Sequence, residues 1–182
     1  MLATVVVGIL MALALLAGPP SDAPAAAQAN CAKANASPGD ASVDELSDAV
    51  LCLIAKERRK SDLKRVEPNG ALTRVAEKHT RVMIEEDCGQ HRCGDEKSLN
   101  DRIVNSGYPR PGERYSFGEI TGCSLTPQGM VDAWMGSRVH RKRILGKPYR
   151  DVGVGAGKGR PEFRDCGDGR RKGIYTVIFG SR

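Results

Sequence analysis

Three histidines are the residues of this chain best suited to acid–base or metal chemistry. They are His79, His91 and His140, and each lies in a different segment. Imidazole changes its charge near neutral pH, and it is also a common metal ligand. No H-E-x-x-H pattern places two of the histidines on one face of a helix. Any site that uses them must therefore be assembled by the fold from distant segments.

Six cysteines are the other reactive side chains. No two of them are spaced as C-x-x-C, which argues against a zinc ribbon and against a thioredoxin-like redox motif. An even number of cysteines in an exported chain is typical of a disulfide framework. The spacing leaves several pairings open. We predict the set in which each bridge ties a loop to a neighbouring element, namely Cys31–Cys52, Cys88–Cys93 and Cys123–Cys166.

The N-terminal 29 residues have the composition of a secretory signal peptide. An apolar run from Met1 to Gly18 is stopped by Pro19 and Pro20, and the small-residue segment that follows ends in Ala27-Gln28-Ala29. This A-x-A ending predicts cleavage after residue 29 and secretion to the extracellular space. No Lys or Arg precedes the run, and its length approaches that of a membrane span. An uncleaved segment that anchors the protein to the membrane is therefore the alternative.

The chain is basic, with 28 Lys and Arg against 22 Asp and Glu and a formal net charge of +6. Loss of residues 1–29 removes one acid and no base, so the exported protein carries +7. This charge attracts anionic wall polymers and phospholipid, although it also serves simple solubility. Aromatic residues make up only 4% of the chain, too few for base stacking, so we expect no nucleic-acid partner. We expect a monomer.

The remaining chain divides into a leader and one domain. Residues 30–42 form an Ala- and Pro-rich leader, and residues 43–182 are enough for one hydrophobic core. Helix starts are marked by capping residues and by proline at a first helical position. Helices interleaved with short strands predict a layered α/β or α+β domain. Helices are predicted from Ser42, from Asn69, from Ser98 to Ser106 and from Thr126-Pro127, and strands at Phe117–Thr121, Val152–Ala156 and Ile174–Phe179.

Several segments match the motifs of one family in order and spacing. The segment from Trp134 to Leu145 is similar to W-M-x-S-x-x-H-R-x-x-I-L, and Gly118-Glu119 resembles the start of a G-E-N motif. Together these segments resemble the CAP superfamily of cysteine-rich secretory, antigen 5 and pathogenesis-related proteins, in its bacterial secreted form. The resemblance covers residues 43–182. Its other segments are Leu72–Met83 (L-x-x-x-A-x-x-H-x-x-x-M), Arg102–Tyr108 (R-x-x-x-x-G-Y), Val152–Gly155 (I-G-V-G) and the closing strand Tyr175–Gly180.

The resemblance implies an α+β fold, a disulfide-tied three-layer α-β-α sandwich with a cleft of histidine and acidic side chains. By motif, His91 is the first cleft histidine, Glu119 the acid and His140 the second histidine. In some members such a histidine pair holds a divalent metal, so zinc at His91 and His140 is an expectation. His79 matches a helix position of the family, and we expect it to pack beneath the cleft.

This chain departs from the family pattern around the cleft. Ile120 replaces the asparagine that follows the acid, so we expect the cleft to lack a polar partner. Arg138-Val139 replaces a small Pro-Gly pair and is expected to place a cation near His140, which disfavours a bound dication. Gly89-Gln90 replaces the aromatic and serine that precede the first histidine.

Two classes of function remain open. The favoured one is a secreted module that binds a lipid, a wall polymer or a divalent metal. Its basic loop from Lys158 to Lys172 either recognises an anionic polymer or only keeps a hairpin soluble. The alternative is a secreted metal- or His/Glu-dependent hydrolase, in which His91 or His140 acts as general base with Glu119. Ser137 lacks the acid and oxyanion donors of a triad, and Glu113 is only a nominal partner for two-carboxylate glycoside cleavage.

Overall fold

The computed structural model describes residues 30–163 and 166–182. The predicted signal peptide, residues 1–29, lies outside the described residues. Among the described residues no helix is both long and apolar enough to cross a membrane. The elements in chain order are α1 Val43–Lys60, β1 Glu67–Pro68, α2 Gly70–Glu85, α3 Leu99–Asn105, β2 Ser116–Ser124, α4 Pro127–Gly136, α5 Arg138–Ile144, β3 Asp151–Gly159 and β4 Lys172–Ser181.

The helix starts follow from local capping chemistry, as the sequence predicts. At α1 the Ser42 hydroxyl accepts a hydrogen bond from the Glu45 backbone, and the Glu45 carboxylate accepts one from the Ser42 backbone at 2.7 Å. The Asn69 side chain caps α2, and Thr126 caps α4 with proline at its first position. These bonds satisfy backbone N–H groups that a helix leaves without partners. They fix where each helix enters the fold.

The four strands form one mixed sheet in the order β1-β3-β4-β2. Strand β1 is parallel to β3, whereas β4 is antiparallel to both β3 and β2. Three strands coincide with predicted ones. The two-residue β1 was not predicted, because so short a segment shows no alternation of polar and apolar residues. Strand β2 lies at an edge of the sheet, a position that leaves its outer side available to a site.

Alternating side chains of the sheet divide the helices into two layers. Val152 and Val154 of β3 pack into the core that α1 and α4 share. On the other face, a Cβ at Gly153 would lie 2.2 Å from the Leu72 carbonyl carbon, so only glycine lets the α2 backbone lie directly on the sheet. Helix α3 packs beside α2. The fold is therefore the predicted α-β-α sandwich, with α1, α4 and α5 on one side and α2 and α3 on the other.

Three disulfides tie the layers together, and all three are the predicted pairs. Their Cα atoms are 5.6, 5.8 and 6.0 Å apart in the order Cys31–Cys52, Cys88–Cys93 and Cys123–Cys166, within the ordinary range. The first bridge holds the leader against α1, and the leader's Ala34 carbonyl also accepts the backbone N–H of Gln128. The second closes a short loop that follows α2. That loop carries His91.

Candidate functional site

His91 and Glu119 form a directly bonded pair at the edge of the sheet. The His91 Nδ1 atom lies 2.8 Å from Glu119 Oε1. The Glu119 side chain is 1% exposed, whereas that of His91 is 61% exposed. Glu119 is positioned by β2, and His91 by the loop that the Cys88–Cys93 disulfide closes. A buried carboxylate therefore orients an exposed imidazole through Nδ1.

Arg102 of α3 is the cation behind this pair. One guanidinium nitrogen donates to the His91 carbonyl at 2.7 Å and to Glu119 Oε2 at 3.4 Å. The other terminal nitrogen lies 3.6 Å from Oε1 of Glu96, and the arginine side chain is only 8% exposed. A buried arginine thus contacts two buried carboxylates. Its positive charge balances their negative charges, which would be unfavourable to bury without a partner.

His79 and Glu96 form a second pair below the first. His79 is completely buried, and its Nδ1 donates to Glu96 Oε2 at 2.7 Å. Its Nε2 donates to the Gln90 carbonyl at 3.1 Å, while the same glutamate oxygen accepts the backbone N–H of Cys93. Every polar atom of the imidazole is satisfied. His79 is the core histidine beneath the cleft that the sequence predicts.

His140 approaches the same place from the other helix layer. It lies on α5, which packs against β2, and its side chain is half-buried. Positive charge on His91 contributes to lowering the pKa of His140. Because β2 is an edge strand, a loop from one layer and a helix from the other can meet around it. The structure thus brings His91, Glu119 and His140 to one edge of the sheet.

The two cleft histidines have pKa values shifted in opposite directions. The hydrogen bond that His91 donates to Glu119 raises the pKa of His91 above its ordinary value of 6.5, against burial and the charges of Arg102 and Arg143. Burial lowers the pKa of His140, and the neighbouring charge of His91 lowers it further. Relative to an unperturbed imidazole, the cleft therefore favours the charged form of His91 and the neutral form of His140.

Two expectations about residues near the cleft need correction. Ile120 is completely buried in the core shared with α1 and α4, on the opposite face of β2 from Glu119, so its replacement of asparagine removes no polar partner from Glu119. Arg102 supplies that partner instead. Arg138 was expected to place its charge beside His140, but it is exposed on α5, and the charge that acts on the pKa of His140 is that of His91. Arg102 and Arg143 act on His91.

Other residues considered for chemistry lie apart from this arrangement. Ser137 is the N-cap residue of α5 and makes no side-chain capping bond there. The Glu113 carboxylate accepts the backbone N–H of Arg110, in the loop before β2. The sequence did not identify Glu96 or Arg143, and it identified Arg102 only as part of a family segment. Their roles depend on contacts between distant segments.

The donor atoms at the cleft do not fit a zinc site with three protein ligands. Glu119 has one oxygen bonded to His91 and the other to Arg102, which leaves two imidazoles as donors beside two arginines. Across residues 30–163 and 166–182, no group of three or more His, Cys, Asp or Glu side chains is arranged to hold a metal. Zinc at His91 and His140 stays a prediction that calorimetry can test.

Sequence comparison agrees with the motifs around the cleft. The family model described as CAP, the cysteine-rich secretory protein family, matches residues 51–178. The protein YkwD of Bacillus subtilis is 30% identical over 116 residues, which are 63% of this chain and 43% of that relative. The chain therefore spans less than half the length of this curated relative.

Solved structures share the sandwich at low sequence identity. An outer surface protein from Borrelia burgdorferi superposes with a TM-score of 0.61 at 20% identity, covering 78% of this chain and 96% of that one. An extracellular protein containing a SCP domain from Bacillus anthracis superposes with a TM-score of 0.59 at 19% identity, covering 79% and 45%. These likenesses support the fold. Because the family model also matches well over half of its residues, this chain belongs to the CAP family of cysteine-rich secretory proteins.

Proposed function

We propose that this protein is a secreted binding module whose cleft captures an anionic group, the phosphate of a lipid head group or of a wall polymer. The observation that carries the proposal is the bonded pair of exposed His91 and buried Glu119. Through Nδ1 the carboxylate holds the imidazole in one orientation. Nε2 makes no hydrogen bond to any residue that the structure describes, so it is the nitrogen available to a ligand.

The charges around Nε2 favour an anion over a cation. Glu119 raises the pKa of His91, so Nε2 carries a hydrogen over a wider pH range and can donate a charge-assisted bond. Arg143 is close enough to act on His91 electrostatically. His140 favours its neutral form and can donate or accept. Together, these side chains can bind the oxygen atoms of one phosphate group at the open edge of the sheet.

The test is a titration of the exported protein with glycerol 3-phosphate as a soluble probe, followed by imidazole NMR shifts and calorimetry. His91→Ala is expected to remove binding, and binding to wild type is expected to weaken as pH rises through the pKa of His91. Arg81→Ala, an exposed residue of α2, is the control and is expected to bind as wild type does, while thermal unfolding shows that each variant is folded. Unchanged binding in His91→Ala, in folded protein, would contradict the proposal.

The two sources of phosphate need separate measurements. Soluble poly(glycerol phosphate) represents a wall polymer, and vesicles with phosphatidylglycerol represent a membrane. Loss of both in His91→Ala supports a cleft that recognises the phosphate itself. A zinc titration of wild type and His140→Ala belongs to the same series. Zinc heat that disappears in His140→Ala would favour the metal over the anion.

A second candidate, a secreted hydrolase, has one specific observation in its favour. A carboxylate bonded to Nδ1 while Nε2 faces outward is how a general base is oriented in many hydrolases. Water would be the nucleophile, since all six cysteines are in disulfides. Peptidase, esterase and wall-hydrolase activities are expected to fall strongly in Glu119→Gln if this candidate holds. Turnover that Glu119→Gln leaves intact rules out the pair as the catalytic base.

A further inference from the structure

Helix α5 has one face that packs against the rest of the domain and one face that is exposed to solvent. At about 100° per residue, His140 and Ile144 share one face, and the structure places Ile144 in the core and His140 half-buried at the cleft. The remaining five residues of the helix are all exposed. We call them the outer face of α5: Arg138, Val139, Arg141, Lys142 and Arg143.

The four cations of the outer face have no acidic partner. In the described residues, none of their side chains takes part in an ion pair or a hydrogen bond. Other exposed cations, such as Lys56 and Arg81, are also unpaired, but no other helix of the described residues has four exposed unpaired cations within six positions. Three of the four lie in the last turn, where they favour the helix dipole. That effect does not account for Arg138 at the first position.

Val139 is the apolar residue among these cations. It is 66% exposed, while the other exposed large apolar side chains among the described residues, Val43, Val104 and Leu125, are 36–44% exposed. By helical geometry it points between Lys142 and Arg143. A single exposed valine is ordinary by itself, but this one stands among cations that can bring it to an anionic surface.

We propose that the outer face of α5 docks on an anionic phospholipid surface. Charge complementarity draws the four cations to acidic head groups, and Val139 enters the boundary between head groups and acyl chains. A soluble polyanion satisfies the cations equally well but offers nothing to Val139. The apolar residue is therefore what favours a bilayer over a wall polymer.

This docking surface goes beyond the proposed phosphate cleft, and the two can fail separately. The cleft depends on His91 and Glu119, whereas the docking variants change Arg138, Val139 and Lys142, which form no hydrogen bond or ion pair with either residue in the part of the chain that the structure describes. Because His140 lies on the inner face of the same short helix, docking would bring the cleft close to the lipid head groups. Arg143 acts on both, so it is left unchanged in the experiment.

The experiment measures how the exported protein partitions into phosphatidylcholine vesicles with and without phosphatidylglycerol. Mass spectrometry first confirms the N-terminus of the protein. The double variant Arg138→Gln/Lys142→Gln is expected to bind phosphatidylglycerol vesicles roughly 25-fold more weakly, about five-fold for each lost charge. Val139→Ser, which leaves the charge unchanged, is expected to weaken binding about three-fold. Raised salt is expected to reduce wild-type binding.

A matched control lies on the other side of the sandwich. Arg74→Gln/Lys78→Gln on α2 removes the same two charge types at the same spacing from an exposed helix, and it is expected to change partition by less than about two-fold. Thermal unfolding shows that each variant is folded. The docking proposal is overturned if this control loses as much binding as the α5 variant, or if wild type does not prefer phosphatidylglycerol. It is also overturned if Val139→Ser has no effect while poly(glycerol phosphate) binding falls with Arg138→Gln/Lys142→Gln.

Discussion

The molecule contains two histidine–glutamate pairs built in the same way and placed in different surroundings. His79 bonds Glu96 at 2.7 Å, and His91 bonds Glu119 at 2.8 Å, in both cases through Nδ1. Both carboxylates contact the guanidinium of Arg102, at 3.6 and 3.4 Å. The pairs differ in the second ring nitrogen. That of His79 donates to the Gln90 carbonyl, whereas that of His91 makes no hydrogen bond to any described residue.

The comparison shows that a bonded histidine is not by itself a functional one. The inner pair, His79 and Glu96, joins α2 to the Cys88–Cys93 loop and leaves no ring nitrogen of His79 free, so its contribution is to stability. The outer pair uses the same geometry to hold a reactive nitrogen toward solvent. Arg102 connects them, since the cation that supports the inner carboxylate also positions the outer one. The inner pair therefore helps to position the outer pair, which consists of His91 and Glu119.

The largest expected effect follows from removal of the shared cation. Arg102→Ala leaves two buried carboxylates without their counter-charge, and removing one partner of a buried ion pair costs about 3–5 kcal/mol. Chemical denaturation measures the loss in the free energy of unfolding. Arg81→Ala, an exposed arginine on α2, is the control and is expected to cost less than about 0.5 kcal/mol. Equal costs would mean that Arg102 does not link the two pairs.

The next effect separates the pairs from each other. His79→Ala opens a cavity and breaks two buried hydrogen bonds, so it is expected to lower the free energy of unfolding by about 2–4 kcal/mol. His91→Ala removes a mostly exposed partner and is expected to cost at most about 1 kcal/mol. The order of binding effects is reversed, because only His91 reaches the proposed ligand. Similar stability losses in the two variants would contradict a structural role for the inner pair and a binding role for the outer pair.

Features with local causes could be predicted from the sequence. The helix starts at Ser42, Asn69 and Thr126 depend on residues within one turn, and the cysteine pairs join elements that follow each other closely or are held together by the sheet. The family motif was needed to single out Glu119. Helix α5 was not distinguished from the basic run that contains it, because Ser137 makes no side-chain capping bond and offers no clear start signal.

The network around the cleft could not be predicted in the same way. Glu96 and Arg102 are ordinary charged residues in the sequence, and only packing of α3 against α2 buries them together. The role of Ile120 was misjudged for a similar reason. Adjacent strand residues point to opposite faces, so the residue after Glu119 belongs to the core and not to the cleft. Such outcomes depend on which face of a strand meets which helix layer.

The smallest effect is a difference in titration between the two cleft histidines. NMR of the imidazole protons is expected to show His91 titrating above 6.5 and His140 below it, because Glu119 favours the charged form of His91 while burial and His91 oppose charge on His140. Since the folded-state pKa of His91 is raised, its pair with Glu119 stabilises the fold fully below pH 6.5, and this contribution is lost as pH rises through the folded pKa. Glu119→Gln is expected to bring His91 down toward its ordinary value, and His140 should then titrate at a higher pH because less charge sits beside it. If His91 keeps its raised pKa in Glu119→Gln, the carboxylate is not what holds the proton, and the outer pair loses the property that sets it apart from an ordinary surface histidine.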